Sequence, residues 1–363
     1  MKILIVSKAL VLSSYRHKLT ELARLGVDVT AVIPPYWRDS GGLQRFEQGQ
    51  DEGLRVILSP TRLNGHYHVH YYPQLPHIIR RARPDLIQLD EEPYNLATFL
   101  GARAARRLGI PSVFFTWQNI DRSYPLPFRL MEKRVYRWSA RALAGSHEAA
   151  TVLRQKGYAR PVSVVPQFGV DPNVFHPGPR GNGCFRIGFL NRLIPGKAPL
   201  IAVEAVASLD GDAHMLMVGD GEMRQDVRSA IKARNLGARV TLRHRVPSSE
   251  MPDVMRGLDV VILPSLTTPT WKEQFGRVLI EAMACGIPVV GSDSGEIPNV
   301  IGDAGLIVPE GDAQALADAL RRLRSEPALS ADLAERGRKR VLERFTHAHI
   351  AAATLRAYEQ MLA

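Results

Sequence analysis

Short runs rich in β-branched residues alternate along this chain with stretches of helical apolar period, and the alternation breaks once and then restarts. The pattern predicts parallel strands covered by helices, because only a long crossover can return a chain to pair in parallel. Before the break the strands read "KILIVS", "DVTAVIP", "LRVILSP", "DLIQLD", "SVFFTW", "RALAGS" and "VSVVPQ". The break itself is "HPGPRGNG", residues 176–183, rich in Gly and Pro and without apolar period. Beyond it come "FRIGFLN", "HMLMVGD", "RVTLRHR", "DVVILPS", "IPVVGSD" and "GLIVPE". The expectation is two doubly wound α/β domains, 1–178 and 183–345, followed by a helical tail over 346–363. A length of 363 residues suits two cores of ordinary size.

Cysteine usage and hydropathy narrow the setting. Cys184 and Cys285 have no close partner in sequence, which fits a reducing cytoplasm and excludes a Cys-x-x-Cys metal site. No apolar run approaches the roughly 18 to 20 residues of a membrane helix. Lys8 interrupts the apolar start and no small-residue cleavage site follows, so the first residues read as a buried strand rather than a leader. Charge is uneven: Lys and Arg outnumber Asp and Glu by 25 to 14 through residue 182, and stand at 22 each afterwards. Such asymmetry suits nucleic acid, an anionic membrane surface or an acidic small substrate, and equally a merely soluble basic surface. No recognition-helix pattern or aromatic RNA-binding motif accompanies it. No G-x-G-x-x-G follows the first strand, which disfavours a nicotinamide oxidoreductase.

Open parallel sheets bind ligands beyond the carboxyl ends of their strands. After "FRIGFL" comes "NRLIPGKAP", with Arg192 and Lys197 five apart around Pro195 and Gly196. Two cations in a tight loop suit a diphosphate, although exposed cations are commonly just solvated. After "HMLMVG", Gly219 and Gly221 flank Asp220 and permit close backbone approach. The stretch "TPTWKEQFGRVLIEAMACGIPVV" is more specific. A helix is expected to start between Phe275 and Arg277, with Gly276 leaving its amides open to phosphate, and to run to Ala284 before the stop at Gly286. Glu273 then precedes the helix and Glu281 lies more than a turn inside it. Carboxylate, amide cradle and carboxylate match sugar hydroxyls, diphosphate and ribose. Alternatively Glu273 complements the helix dipole and Glu281 sits on a solvated face. Against the second option, Glu281 falls within Val278, Leu279, Ile280, Ala282 and Met283, where an acid needs a partner.

"EQFGRVLIEAMACGIPVV" followed by "SDSGEIPNVIGDAGLIVPEGD" resembles the signature of the retaining glycosyltransferases of family 4. The resemblance extends through "NRLIPGKAP", "MVGDGEM", "LDVVILPS", "VVPQFGVDPNVFHPG" and the closing "ERFTHAHIAAATLRAYEQML". It implies the GT-B fold, α/β, with two Rossmann-like domains facing across a cleft and the tail helix crossing back onto the first. It also implies catalytic roles for Glu273, Arg192 and Lys197, the cations on the donor diphosphate and Glu273 at the sugar hydroxyls. Phe275, Gly276 and Arg277 would lie beside the donor, with Gly219 nearby. Glu281 would hold the ribose, and Arg243, His244 and Arg245 would border the nucleobase. Such enzymes take a nucleotide-diphosphate sugar as substrate and need neither cofactor nor metal.

The first domain departs from the family pattern. Many members carry a Gly-Gly turn where this chain has "SKALVLSSYRHK", and many place a His where Trp117 and Gln118 follow "VFFT". Gln118 and Asn119 would supply hydrogen bonds there, or Trp117 forms a buried corner. "QLDEEPYN" puts Asp90, Glu91 and Glu92 beyond a strand end, either facing an acceptor or charging the start of the next helix. In "GHYHVHYY", His66, His68 and His70 share a face if extended, and His68 is read as lining an acceptor cleft. A metal there is disfavoured, because no carboxylate or Cys stands at ligand spacing. Residues 128–143, "FRLMEKRVYRWSARAL", read as a helix with an apolar stripe of Phe128, Met131, Val135, Trp138 and Ala142. Arg129, Lys133, Arg137 and Arg141 form a neighbouring ridge, solvated or drawn to anionic lipid. The leading expectation is sugar transfer from a nucleotide-diphosphate sugar to a lipid-linked or anionic acceptor, by a cytoplasmic protein in peripheral contact with the inner membrane face. The alternatives are a nucleotide-sugar epimerase on the same fold and a basic nucleic-acid-binding protein.

Overall fold

The computed structural model describes residues 1–39, 42–49, 51–179 and 183–363, so Arg180, Gly181 and Asn182 of the Gly- and Pro-rich break lie outside the described residues. The chain divides into two compact units, Met1–Gly169 with His347–Ala363, and Val170–Thr346. Residues 170–178, expected with the first domain, therefore go with the second. Val170 is the anchor, its N–H donating to Phe345 O at 2.9 Å.

The first unit runs β1 (Lys2–Val6), α1 (His17–Arg24), β2 (Asp28–Ile33), β3 (Tyr36–Asp39), β4 (Gly42–Arg45), β5 (Leu54–Leu58), α2 (Leu75–Ala82), β6 (Leu86–Leu89), α3 (Leu96–Arg107), β7 (Ser112–Thr116), α4 (Phe128–Trp138), β8 (Arg141–Ala144), α5 (His147–Gln155) and β9 (Val162–Val164). Seven strands form a parallel sheet in the order β5-β2-β1-β6-β7-β8-β9. Its central strands are buried throughout, which is why they read as continuous apolar runs. The helix α13 (His347–Leu362) joins α1 on one face, where Ile350, Ala351, Ala357 and Tyr358 pack with Ile3, Ile5 and Val29. The opposite face takes α2, α3 and α4 through Leu75, Ile79, Ala102, Ala105 and Val135.

Two local expectations need correction, and one element adds to them. The antiparallel hairpin of β3 and β4 was not foreseen in "YWRDSGGLQR", where Trp37 supplies a buried anchor without alternating apolar residues around it. The helix read over 128–143 stops at Trp138, because Ser139 is extended at ψ 133. Arg141 consequently belongs to β8, is 9 % exposed and donates to Ser163 Oγ at 2.8 Å, so it is no part of the ridge. Finally, residues 66–70 form a turn in which His70 N donates to His66 O at 3.0 Å. His66 and His68 are exposed while His70 is buried, so the three do not share a face.

The second unit runs β10 (Arg186–Leu190), α6 (Pro199–Ala207), β11 (His214–Val218), α7 (Arg224–Ala233), β12 (Val240–Arg243), α8 (Met251–Arg256), β13 (Val260–Leu263), α9 (Arg277–Ala284), β14 (Val289–Ser292), α10 (Ile297–Ile301), β15 (Leu306–Val308), α11 (Ala313–Ser325) and α12 (Pro327–Arg344). Its six parallel strands follow the order β12-β11-β10-β13-β14-β15. The reversal of direction after β12 opens a crevice at the strand ends, the usual ligand position in such sheets. Among the described residues, no helix is long and apolar enough to cross a membrane.

Candidate active site

The candidate donor residues of the second unit lie at the carboxyl ends of β10, β11, β12 and β13, in the loops that leave them or, for Arg277 and Glu281, in α9. Backbone docking locks the first two loops together. A Cβ on Gly219 would overlap the carbonyl oxygen of Asn191, and one on Gly221 that of Leu193, so glycine alone lets the chains pass. Leu193 N donates to Asp220 O at 3.0 Å, and Met223 N to Leu193 O at 2.9 Å. The Asp220 carboxylate then organises the loop after β12, accepting from Arg245 N at 3.0 Å and meeting His244 Nδ1 at 2.6 Å. These bonds hold its pKa below the usual carboxylate range. The side chains of Arg243, His244 and Arg245 remain exposed on a fixed backbone.

The loop after β10 tightens through Pro195–Lys197 into Ala198 at φ +49. Gly196 lies against the Trp271 indole, where a Cβ would clash, and its carbonyl accepts Leu266 N at 2.9 Å. Arg192 is exposed and has no hydrogen-bond or ion-pair partner among the described residues. Lys197 turns inward instead: its Nζ pairs with Glu273 Oε2 and stands 5.4 Å over the Trp271 ring. Ser265 Oγ donates to the same carboxylate oxygen at 3.0 Å, and Glu273 is 6 % exposed. A buried carboxylate requires such partners. Its backbone is held too, since Glu296 N donates to Glu273 O at 3.2 Å.

Gly276, at φ +82, is the N-cap of α9; its carbonyl accepts Leu279 N at 2.8 Å, and the amides before Leu279 cannot bond within the helix. Phe275 is 7 % exposed and meets Phe345 edge-on at 5.8 Å. One turn into α9, the Glu281 carboxylate accepts from Arg277 Nε at 2.7 Å, with 12 % of its side chain exposed. Burial pushes its pKa up, and Arg277 limits the rise. The acid therefore has the partner its apolar surroundings required and does not sit on a solvated face. Ser265, Trp271 and Asp220 were missed as site residues; the loop "LTTPTWK" is the one visible signal for the second, since a Trp between polar residues has to pack somewhere.

In the first unit, Asp90, Glu91 and Glu92 do not charge the start of α3, which has no acid in its first turn. Glu91 pairs with Lys8 and lies 3.5 Å from His70 Nε2. Burial raises its pKa, but Lys8 and His70 outweigh that and bring it to about 2. Glu92 accepts from Thr116 Oγ1 at 2.6 Å and Trp117 N at 2.8 Å, and burial still pushes it up to about 7. Asp90 accepts from Gln88 Nε2 at 3.1 Å and Gln167 Nε2 at 2.6 Å. Gln167 accepts from the Trp117 indole at 2.7 Å, and Tyr358 of α13 donates to Gln88. The Trp117 ring rests on Gly145, where a Cβ would strike it, but the side chain is half-buried rather than the buried corner expected.

Gln118 differs from its neighbour. Its Oε1 accepts from Lys156 Nζ at 3.2 Å, and because a lysine can only donate, the amide orientation is determined. The Nε2 donor is buried and has no hydrogen-bond partner among the described residues. Lys156 is also bound to Glu132 Oε1 at 2.5 Å and stands 5.1 Å over the Tyr124 ring. Asn119 is 9 % exposed. His68 is exposed against Tyr94 and Phe128, at ring separations of 5.4 and 5.7 Å. Among the described residues, no group of three His, Cys, Asp or Glu could hold a metal ion.

Two family models match this chain in succession, a glycosyl transferase 4-like domain over residues 14–167 and glycosyl transferases group 1 over 178–340. The 2-deoxystreptamine glucosyltransferase of Streptomyces kanamyceticus is 31 % identical, covering 78 % of this chain and 79 % of the relative. The chain belongs to glycosyltransferase family 4. A D-inositol 3-phosphate glycosyltransferase of Rhodococcus erythropolis is 29 % identical over 77 % of this chain and 69 % of its own. Among solved structures, sucrose-phosphate synthase from Thermosynechococcus elongatus matches with TM-score 0.75 and 20 % identity over 99 % of each chain. Anabaena HepE, solved with UDP-glucose, matches with TM-score 0.73 and 20 % identity over 99 % of this chain and 100 % of that one. The fold of this family 4 glycosyltransferase is accordingly GT-B, and it is a transferase.

Proposed function

We propose that this glycosyltransferase moves a hexose from a nucleotide-diphosphate sugar to an anionic or lipid-linked acceptor, with retained anomeric configuration and without a metal ion. The observation that carries the reading is the buried Lys197–Glu273 pair, backed by Ser265 and three residues before the N-cap of α9. As the bond from the anomeric carbon to the diphosphate breaks, charge develops on the leaving group. Arg192, Lys197 and the amino end of α9 take that charge, doing what a cation would otherwise do. Glu273 orients the sugar through its hydroxyls and stabilises charge at the reacting centre. Retention corresponds to a front-face substitution, with the new bond to the acceptor oxygen forming on the side the diphosphate leaves.

Glu281 holds the ribose and the loop of Arg243, His244 and Arg245 borders the base. A relative of the same fold solved with UDP-glucose supports a nucleotide-sugar donor. The acceptor falls to the basic first unit, where the buried Gln118 amide offers a donor in the position many relatives give to a His, with Asn119, Glu92 and His68 nearby in sequence or fold. One relative is named for D-inositol 3-phosphate, which supports an anionic acceptor. On this reading the protein works in the cytoplasm, at the inner membrane face when the acceptor is lipid-linked.

A panel of UDP-, GDP-, ADP- and dTDP-sugars, assayed for slow hydrolysis without acceptor, tests the donor half. Release from one nucleotide series is expected, with the same nucleotide detected by calorimetry. Neither hydrolysis nor nucleotide binding across the panel would overturn the proposal.

A further inference from the structure

On the face of the first sheet that carries α2, α3 and α4, an open cavity of about 430 Å³ lies between α2 and α3. That volume is within the range of roughly 300 to 1,000 Å³ typical of small-ligand sites. The cavity exists because α3 turns Ala97, Leu100 and Ala104 toward α2, and the two alanines are too short to close the space above Leu75. The lining is almost wholly apolar, and three arginines rim it. Arg80 comes from α2 and Arg103 and Arg107 from α3, the last two one helical turn apart.

None of the three has a hydrogen-bond or ion-pair partner among the described residues. Neither α2 nor α3 contains an acid, and the one acid of α4, Glu132, is buried under Lys156. Alongside, α4 presents Arg129, Lys133 and Arg137 to solvent, with Leu130 48 % exposed and Leu126, two residues before it, 60 % exposed. An apolar trough under guanidinium groups that have no partner among the described residues is complemented by a molecule with an apolar chain and an anionic head. Guanidinium forks bind phosphate oxygens while their stems lie on apolar surface. Tyr71 and Tyr72 also line the trough, but Tyr72 is buried and Tyr71 half-buried, which suits packing against an acyl chain better than the stacking of exposed bases on which single-stranded nucleic-acid recognition relies.

We propose that the α2–α3 trough is a binding site for anionic phospholipid, seating an acyl chain between Leu75, Leu100 and Ala104 and the phosphate among Arg80, Arg103 and Arg107. The site anchors the first unit to an anionic bilayer. It is independent of the donor residues and stands or falls apart from them.

The test is co-sedimentation of the full chain with vesicles of phosphatidylcholine alone and of equimolar phosphatidylcholine and phosphatidylglycerol, at low and high salt. Binding to the anionic vesicles only, weakened by salt, is expected. Replacing Arg80, Arg103 and Arg107 by Gln should weaken it roughly a hundredfold, since each basic residue near an anionic surface contributes a severalfold gain. Ala104→Leu keeps every charge but fills the trough, and should also weaken binding several-fold; Leu100→Gln replaces it if the melting temperature falls. Donor hydrolysis should be unchanged in all variants. The proposal is overturned if the wild type ignores anionic vesicles at low salt, or if trough-filled protein binds them as well as wild type. It fails equally if transfer RNA binds as tightly and displaces the vesicles without regard to the trough.

Discussion

Gly295 lies directly beneath the carbonyl of Glu273, in a left-handed conformation at φ +57, and a Cβ on it would overlap that oxygen. The turn after β14 thus sets the height of the candidate catalytic carboxylate from a position 22 residues away in sequence. Gly295→Ala should shift the Glu273 backbone by some tenths of an ångström to an ångström. Turnover is expected to fall roughly ten- to a hundredfold with nucleotide affinity little changed. Steady-state kinetics beside calorimetry would check the split, and equal losses in both would count against it.

Glu273 and Glu281 should separate in the same assays. Glu273→Gln keeps the size of the side chain but removes the charge facing Lys197, and turnover should drop. Glu281→Ala removes the carboxylate that accepts from Arg277 Nε and is proposed to hold the ribose, and should mainly raise the Kd for nucleotide. A lost hydrogen bond to a charged group costs about 1.5 to 3 kcal/mol, roughly ten- to a hundredfold. Full activity in the Glu273 variant would remove it from the mechanism.

Glu92 makes the first unit pH-sensitive in an unusual direction. Its folded pKa of about 7 lies above the unfolded carboxylate value near 4.5. Below pH 4.5 both states bind the proton and its contribution is fully present; as pH rises through about 7 that contribution is lost, because the folded state must then ionise a buried acid. Glu91 runs the other way, stabilising above its unfolded value and losing that effect as pH falls toward about 2. Glu92→Gln should therefore gain on wild type between pH 5 and pH 8.5, by an amount on the order of 2 kcal/mol or a few degrees in Tm. A constant difference in Tm across that range would contradict the assignment.

Lys156 and Glu132 are a buried pair, with side chains 10 % and 5 % exposed. Lys156→Met should destabilise by about 3 to 5 kcal/mol by stranding the acid, and a second change, Glu132→Gln, should recover most of the loss. Thermal melting of the wild type, the single variant and the double variant tests this. If acceptor use stays impaired in the stable double variant, the Lys156 bond to Gln118 matters to the reaction beyond folding.

On the proposed reading Arg192, Lys197 and the α9 end accept the leaving charge, so chelation should leave transfer intact. Loss of activity in EDTA, restored by Mg²⁺ or Mn²⁺, would show that these groups do not suffice.

The strands and the helix after Glu273 were legible because burial on both sides of a parallel sheet writes a continuous apolar run, and Gly276 and Gly286 punctuate α9 at both ends. Local patterns reached no further. The ridge ending at Arg141 was overextended because Ala142 keeps the i+4 spacing from Trp138 although Ser139 has already left the helix. The supports of Glu273 come from Lys197, 76 residues upstream, and from the turn at Gly295. Such contacts carry no period, and only the folded chain brings them together. The same holds for Gln118, whose amide is oriented by a lysine 38 residues later.

The helix α13 has a consequence for how the protein is made. Tyr358 reaches Gln88 across 270 residues of chain, and Ile350 and Ala351 cover a sheet face that includes Ile3 and Ile5. A ribosome adding roughly 5 to 20 residues per second needs on the order of 10 to 35 s to synthesise residues 170–346. Throughout that interval one face of the first sheet carries its helices while the other has α1 but lacks α13, and the second, continuous unit can close as soon as it emerges. The half of the enzyme that is translated first is thus the last to be sealed, and its uncovered strands are the surface a chaperone would meet on the nascent chain.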